Sequence, residues 1–477
     1  MPTSLVLLRL RSTVLAVLLL FDGAHGALKA QLLEPMNNTE ALLNDIQKRT
    51  FAWFWEFSND RNGLTLDRAP KEDAFASIAA VGFALTAFPV AVERGFLKRN
   101  DAVSKTLATL EFFKNSTQSE SAENTSGYKG FYYHFLDPNT GQRFRQVELS
   151  TIDTALLMGG MLFCLEYYDR DTELESRIRE LADFLYRRVE WDWAQVRGGL
   201  ISHGWKPESG MLSHDYNGYN EAMLLYILAL GSPTHPARED SWHSFVKTCQ
   251  WNTFYGQPHV NFTPLFGHQY SHIWIDFSGI QDDYIKGQGI DWFENSRRAT
   301  YAQRAYAMDN PMQWADYGEN VWGLTACDGP VNIEMEFNGE KRRFWIYTAR
   351  GASAVSIRDD GTLAPTAAAS SVAFAPEIVI PCLSNMIQRY GNPLYNKYGF
   401  VDAFNPSFQF KTVPLRHGQL VEGKGWFDGE HLGIDQGPVL LMIENHRSGF
   451  VWEIMKRSAY IRKGLERAGF RGGWLNR

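Results

Sequence analysis

The spacing of apolar residues is the feature that most constrains the fold of this chain. From about residue 40 onward, apolar residues recur with the period of an α-helix. The periodicity predicts helices at about 40–58, 73–94, 100–115, 149–169, 171–190, 219–230, 237–250, 265–277, 291–309, 364–390, 435–455 and 457–468. One segment has a strand pattern instead, because residues 333–337 alternate, Asn338-Gly339 can turn the chain, and residues 343–348 continue it. The sequence therefore predicts an all-α protein with a small β-hairpin.

The links between these helices alternate between long and short. The long links are rich in Gly, Pro, Tyr and Trp and occupy about residues 59–72, 116–148, 194–218, 251–264, 310–363 and 392–434. The helices that follow them carry few charges, whereas those after short links are amphipathic. Helices that are apolar on all sides are buried, so the alternation predicts an inner ring wrapped by an outer ring, an α/α toroid. The long loops would then gather at one end, where binding and catalysis usually occur.

Acidic residues cluster at the predicted starts of the buried helices. Asp73, Glu148, Asp153, Glu221 and Asp435 all fall within the first one or two turns, and so at the loop end. Such acids can simply stabilise a helix N-terminus, which is the interpretation we favour for Asp73. Glu221 lies among Tyr and Asn residues and Asp153 among Ser and Thr residues. Two carboxyl groups in a partly buried, aromatic-rich mouth suit glycoside hydrolysis, which needs one protonated and one ionised group.

Six segments in order resemble the bacterial glycoamylase-like family, which includes secreted endo-β-1,2-glucanases and the central domain of cyclic β-1,2-glucan synthases. The segments are Ser77–Ala87, Gly130–Leu136, Glu148–Thr154, Gly218–Ala222, Glu294–Ala299 and Asp435–Pro438. The likeness extends over about residues 40–470. It implies an (α/α)6 barrel with long loops and a small β-hairpin at the active-site end. It also implies hydrolysis of β-1,2-glucan without a metal or other cofactor.

The resemblance also implies roles for single residues. Glu221, in the Gly-Tyr-Asn-Glu segment, is expected to be the general acid, and Asp153 the base, with Glu148 and Asp435 as alternative bases. We expect inversion at the sugar carbon, and retention stays open because the synthase relatives transfer sugar. Ten residues are candidate substrate-binding residues: eight in the long loops or the matching segments, Arg68, Tyr133, His134, Trp205, Tyr219, Asn220, Trp322 and Trp426, and two on the predicted helix at 265–277, His268 and His272. The aromatic ones could equally pack the loops onto the helices.

A metal site is the alternative for two of these histidines. His268, His272 and Asp276 are spaced four residues apart on one face of a predicted helix. A third histidine or a catalytic Glu in the metalloprotease pattern does not follow, so we predict sugar contacts or core hydrogen bonds and no metal.

Charge and the N-terminal sequence bear on partners and location. Lys and Arg number 47 against 54 Asp and Glu, a formal net charge of −7, which argues against nucleic acid or an anionic membrane as partner. Residues 1–30 combine basic residues, a short apolar run and small residues, as a secretory signal peptide does, and no later segment predicts a membrane span. We expect a periplasmic or secreted monomer whose single catalytic domain covers residues 31–477.

Other functions fit parts of this pattern. A glucan transglycosylase, or a hydrolase of another β- or α-glucan, could use the same acids. A polysaccharide lyase could take Tyr133 or His134 as its base, but the acidic mouth would repel a uronate substrate. A non-catalytic glycan-binding protein would explain the aromatic residues and leave the paired acids unexplained.

Overall fold

The computed structural model describes residues 39–71 and 73–476, and the protein is mostly helical. The chain divides into two units, Met1–Leu42 and Leu43–Arg477. The described part of the first unit is the first turn of a helix, and all that follows concerns the second. The predicted signal peptide, residues 1–30, lies outside the described residues. Among the described residues, every helix is too short or too polar to cross a membrane.

Fifteen α-helices are present in the described part of the chain. They are α1 (Thr39–Phe57), α2 (Ile78–Glu93), α3 (Arg99–Asn115), α4 (Thr151–Tyr167), α5 (Glu173–Arg187), α6 (Met223–Gly231), α7 (Ser241–Val246), α8 (Tyr270–Trp274), α9 (Asp283–Gly287), α10 (Trp292–Asp309), α11 (Pro365–Ala369), α12 (Pro376–Tyr390), α13 (Gly433–Ser448), α14 (Phe450–Met455) and α15 (Ala459–Arg467). Single 3-10 turns add Trp191–Ala194, Leu265–His268 and Gly473–Asn476.

Short strands occupy the long links. They are β1 (Arg68–Ala69), β2 (Ala76–Ser77), β3 (Gly127–Tyr128), β4 (Phe131–Tyr133), β5 (Phe135–Leu136), β6 (Leu149–Ser150), β7 (Gly204–Lys206), β8 (Gly210–Met211), β9 (Trp251–Phe254), β10 (Gln257–Val260), β11 (Ala326–Asp328), β12 (Ile333–Phe337), β13 (Glu340–Phe344), β14 (Tyr347–Ala349), β15 (Gly351–Ala352), β16 (Ile357–Arg358), β17 (Tyr395–Asn396), β18 (Gly399–Phe400), β19 (Phe404–Asn405), β20 (Gln419–Val421), β21 (Gly425–Phe427) and β22 (His431–Leu432). The largest sheet has the order β3-β4-β6-β7-β8.

Six of the described helices, α2, α4, α6, α8, α11 and α13, are buried over most or all of their length. They contact one another in chain order: α2 packs on α4, α4 on α6, α6 on α8, and α11 on α13, which returns to α2. Gln269, just before α8, donates to the carbonyl of Ala367 on α11 at 2.8 Å. Helices α5 and α15 are amphipathic and bury one face only. The predicted alternation of buried and amphipathic helices therefore appears in the structure.

The two most closely packed buried helices, α2 and α4, meet through glycines. A Cβ atom on Gly160 would lie 2.1 Å from the Gly82 carbonyl oxygen, and a Cβ on Gly82 would lie 2.3 Å from the Leu156 carbonyl oxygen. The backbones approach so closely because neither position carries a side chain.

The predicted hairpin is confirmed, with a shorter second strand. β12 pairs with β13, and Asn338 and Gly339 both have positive φ, as the tight turn requires. The second strand covers Glu340–Phe344, whereas Tyr347–Ala349 pairs with β11 instead.

Several predicted helix boundaries are wrong. The predicted helix at 73–94 begins at Ile78, because β2 pairs with β5 and Ser77 caps the helix; Asp73, in a left-handed turn, therefore stabilises no helix start. Glu148 precedes strand β6, and Glu221 precedes α6, so neither lies inside a helix. The predicted helix at 265–277 is a 3-10 turn followed by α8. The predicted helices at 364–390 and 435–455 are each divided, the second at Gly449, which has positive φ.

Candidate active site

The first part of the site is built on the sheet β4-β6-β7. Strand β6 pairs with β4 on one side and β7 on the other, and it leads directly into α4. Ser150 caps α4: its Oγ accepts from the Asp153 amide at 3.2 Å and donates to Asp153 Oδ2. Asp153 is 4% exposed and is therefore a buried carboxyl group with a fixed orientation.

His134 connects this carboxyl group with Glu148. Its Nδ1 lies 2.7 Å from Glu148 Oε1, and its Nε2 lies 3.5 Å from Asp153 Oδ2. Burial opposes a charge on His134, but the carboxylates of Asp153, Glu148 and Asp67 outweigh it and raise the histidine pKa to about 9. Burial acts to raise the pKa of Glu148, and the His134 contact more than offsets it, so that pKa is lowered. At neutral pH His134 is therefore an imidazolium beside the ionised Glu148 carboxylate.

Glu221 lies on the turn that leads into α6. The Ser271 hydroxyl donates to its carbonyl oxygen at 2.7 Å, and the Asn220 side chain accepts from the Ala222 amide at 3.0 Å. Burial, with a further contribution from the negative charge of Asp153, raises the pKa of Glu221 to about 7. Glu221 nevertheless keeps part of its surface accessible to solvent. The site thus contains one carboxyl group with a raised pKa, Glu221, and one with a lowered pKa, Glu148.

A second group of acids is formed by α13 and the loop after β18. Burial, with repulsion from Asp435 and Asp328, raises the pKa of Asp402 well above its usual range, and burial, with repulsion from Asp328 and Asp67, raises that of Asp435 to about 7. Asp402 Oδ2 accepts from the Asp328 amide at 2.8 Å, whereas Asp402 Oδ1 and Asp435 Oδ2 are buried without a donor among the described residues.

Arg68, on β1, forms ion pairs with acidic residues near this second group. Its Nε lies 3.0 Å from Asp67, and its Nη1 lies 2.7 Å from Asp328 and 3.1 Å from Glu430. Asp328, His417 and Asp428 could each offer a ligand atom within 4.8 Å of the others. However, Arg68 already pairs with Asp328, and His417 Nδ1 lies 3.2 Å from Asp428 Oδ1, so we assign no metal to this cluster.

Three tyrosines, Tyr216, Tyr270 and Tyr347, lie near one or both of the two groups of acids. Burial raises the pKa of Tyr216 and of Tyr270 well above 10. The charges of Glu221 and Asp153 act on both phenols, and that of Asp435 acts on Tyr270. Tyr347 borders Asp402 and Asp435 and is 59% exposed. Tyr270 lies on α8, which packs against both α6 and α13, the helices that follow Glu221 and carry Asp435. We therefore treat the two groups of acids as parts of one candidate site.

The other predicted substrate-binding residues lie farther into the protein. Tyr133 is buried under Arg143, whose guanidinium lies 4.7 Å from the ring centre. Trp205 packs against Tyr128 at 5.3 Å, and Tyr219 stacks on Trp292 at 5.2 Å. His268 and His272 are buried and their pKa values are lowered by burial, and Trp322 and Trp426 have no exposed surface. These side chains pack the loops onto the helices, and their contact with sugar stays a prediction.

The sequence analysis missed part of the site. The residues it did not name are Asp67, Tyr216, Tyr270, Asp328, Tyr347, Asp402, Asp428 and Glu430. None of the acids among them lies at a helix start, which was the signal that selected the others. Asp402 directly follows the sequence Gly-Phe-Val in a long loop. The position of that loop is set by the pairing of β19 with β21, which the sequence alone does not reveal.

Paired carboxyl groups of opposite protonation, set among tyrosines at the ends of buried helices, define an acid–base site of the kind found in glycoside hydrolases. Residues 213–459 match the sequence model of the Glycoamylase family. The chain belongs to this family, which confirms the resemblance inferred from its motifs.

Relatives with more specific names are similar over most of the chain. An exo β-1,2-glucooligosaccharide sophorohydrolase (non-reducing end) of Parabacteroides distasonis is 28% identical over 467 residues, which cover 91% of this chain; the chain spans 58% of that relative's length. The structure of an endo-β-1,2-glucanase from Chitinophaga pinensis, in complex with sophorotriose and glucose, has a TM-score of 0.77 at 25% identity, over 92% of this chain and 100% of the other. A β-1,2-glucanase structure from Parabacteroides distasonis has a TM-score of 0.76 at 26% identity, over 91% of this chain and 60% of the other.

Proposed function

We propose that this protein is a glycoside hydrolase that cleaves β-1,2-glucan. The observation that carries the proposal is a set of carboxyl groups at the starts of the packed helices α4 and α6 with opposite pKa shifts: burial and Asp153 raise the pKa of Glu221 to about 7, whereas the His134 contact lowers that of Glu148. Acid–base cleavage of a glycosidic bond needs this difference. The choice of β-1,2-linked glucose rests on the activities named for the relatives.

The scaffold that we propose for this site is an (α/α)6 barrel. The support is the succession of six buried helices, α2, α4, α6, α8, α11 and α13, which contact one another in chain order. Glu148, Asp153, Glu221 and Asp435 all lie at or just before the N-terminus of such a helix.

In the proposed reaction, Glu221 donates its proton to the glycosidic oxygen as the bond to the anomeric carbon breaks. Asp153 takes a proton from a water molecule, whose oxygen forms the new bond to that carbon. Asp153 Oδ2 is held by Ser150 and faces His134, so Oδ1 is the oxygen left for the water. In this reaction water attacks the sugar directly, so the configuration at the anomeric carbon is inverted. Glu148 and Asp435 are the alternative bases.

Sugar hydroxyls have acceptors and donors nearby. We place them against Arg68 and Asn220, which supply polar atoms, and against Tyr347, which is 59% exposed. We further propose that the protein is a secreted or periplasmic monomer, on the evidence of its N-terminal sequence and charge.

Product analysis of linear β-1,2-glucan with wild type and Glu221→Gln tests the proposal. We expect short β-1,2-linked products from wild type and a loss of at least about a hundredfold in the variant, since Gln cannot donate the proton. Glu453→Gln, on exposed α14, is the matched control and should keep full activity. The anomer released first, followed by NMR, reports inversion or retention.

Laminarin and starch are assayed in parallel. Cleavage of either one, with β-1,2-glucan left intact, would contradict the substrate and leave the acid in place. Full activity of Glu221→Gln would contradict the assignment of the acid.

A further inference from the structure

Both ring nitrogens of His134 are directed at carboxyl groups. Nδ1 lies 2.7 Å from Glu148 Oε1 and Nε2 lies 3.5 Å from Asp153 Oδ2. One face of the imidazole stacks on Phe135, with ring centres 4.0 Å apart. Nδ1 is therefore occupied by Glu148, and Nε2 faces Asp153 across a distance longer than a usual hydrogen bond, so the two carboxyl groups surround the ring where the sequence analysis predicted a sugar contact.

The backbone fixes the ring in this place. The His134 amide donates to the Glu148 carbonyl at 2.9 Å, and the neighbouring Tyr133 pairs with Leu149 across β4 and β6. Glu148 and Asp153 come from the other side of the same strand pair, one before β6 and one after it. His134 thus lies between two carboxyl groups that the strand β6 and the start of α4 bring to one side.

The charges around the ring favour its cationic form. The ionisable groups that act on His134 are Glu148, Asp153 and Asp67, all acidic, and Arg68 is already paired with Asp67 at 3.0 Å. An imidazolium between two carboxylates lowers the cost of keeping both of them ionised. Without it, the buried Asp153 and the half-buried Glu148 would lie on one side of the sheet with no cation between them, and the repulsion would favour uptake of a proton by the pair.

We propose that His134 is a positioning residue for the reaction: its imidazolium holds Glu148 and Asp153 in place as ionised carboxylates, so that Asp153 can accept a proton from water while Glu221 still carries its own. The inference rests on the proposed function, because it assigns His134 a part in the same acid–base step. His134 acts through Asp153 and does not touch the sugar.

Substitution by Gln removes the charge and keeps a polar side chain. For His134→Gln we expect kcat at the optimum to fall at least about tenfold and KM to change by less than about threefold. We expect the acidic limb of the kcat profile, measured from about pH 4 to about pH 9, to move up by about one pH unit, because an unpaired carboxylate takes up a proton at higher pH. A rise in KM of about tenfold with an unmoved acidic limb would instead make His134 a sugar contact and overturn the inference.

Two further variants make the test specific. His235 lies 3.7 Å from Asp192 in an exposed pair, so His235→Gln is the matched control and should leave the profile unchanged. In the double variant His134→Gln/Glu148→Gln, the like charge beside Asp153 is gone, and the acidic limb should return toward its wild-type position. If the acidic limb of the double variant stays at the pH found for His134→Gln, the proposed role of His134 and Glu148 is contradicted.

A measurement without substrate separates this inference from the proposed function. In wild-type protein labelled with 13C-histidine, the NMR titration of His134 should have its midpoint above about pH 8, and Glu148→Gln should lower it. A midpoint near the ordinary value of about 6.5 would overturn the inference even if β-1,2-glucan is cleaved. A high midpoint in a protein that leaves β-1,2-glucan intact would overturn the function alone. This titration also decides the matter if His134→Gln does not fold.

Discussion

At the residue scale, the site depends on which carboxyl groups keep a proton. Glu221 keeps its proton because burial disfavours its charge and because Asp153 lies near it. Glu148 loses its proton because His134 pairs with it. These opposite outcomes follow from the partners that the fold supplies, since both residues are glutamates with the same ordinary pKa.

Ionisation of Glu221 should destabilise the folded protein at alkaline pH. Its pKa of about 7 in the folded protein exceeds the ordinary value of 4.5, so the folded state holds the proton where the unfolded chain has released it. The contribution of Glu221 to the free energy of unfolding is therefore fully present below about pH 4.5 and is lost as the pH rises through about 7. The loss is at most about 3 kcal/mol, and it is smaller because the side chain is partly accessible to solvent.

The variant Glu221→Gln should thus gain stability over wild type as the pH rises, since Gln never ionises. Urea unfolding of both proteins at about pH 5 and about pH 8 measures this, with Glu453→Gln as the control. A difference in unfolding free energy that is the same at both pH values would contradict the raised pKa of Glu221.

At the element scale, periodicity predicts that the helices exist but misplaces where several begin. The helix predicted at 73–94 begins at Ile78, because Ala76 and Ser77 form a strand with Phe135 and Leu136, about 60 residues away in sequence. A two-residue strand is too short to show alternation, and its partner is distant, so no local pattern reveals it. The divided helices have local signals, such as Pro376 and Gly449, which the long apolar runs outweighed.

The candidate site was predictable where it follows helix starts and motifs. His134, Glu148 and Asp153 come from two neighbouring segments that the pairing of β4 with β6 brings together. Asp328, at the end of β11, and Asp402, in the loop after β18, come from distant segments that meet only in the folded protein, where the Asp328 amide donates to Asp402. The spacing of Asp328 and Asp402 in the sequence does not predict that contact.

The contact between α2 and α4 gives a prediction for this scale. Gly160→Ala should destabilise the protein by about 2–4 kcal/mol, because the added Cβ would lie 2.1 Å from the Gly82 carbonyl and the helices must move apart. Gly287→Ala in α9 is the matched control, since a Cβ there meets nothing within 4 Å. Thermal unfolding compares the two variants. Equal melting temperatures would show that the two helices can separate without cost.

At the scale of the whole molecule, buried charges join loops that are distant in sequence. Arg350 and Asp360 form an ion pair with no exposed surface, and Arg350 also donates to the Cys327 carbonyl at 2.6 Å. Cys327 and Asp328 lie on β11, which pairs with the strand of Tyr347. The loops that carry the second group of acids are therefore anchored by internal polar contacts, and the acids stay close together despite their mutual repulsion.

An acidic protein with acids in its site should bind a neutral sugar independently of salt. The formal net charge of the protein is −7, whereas β-1,2-linked glucose carries no charge. There is therefore no charge–charge interaction between the two for salt to screen. We expect KM for linear β-1,2-glucan to change by less than about twofold between about 50 mM and about 500 mM NaCl. A succinylated, anionic β-1,2-glucan is the matched control: the protein should repel it, and its KM should fall as salt rises. A large salt dependence of KM for the neutral polymer would mean that charged groups govern binding, as for the uronate substrate of a lyase.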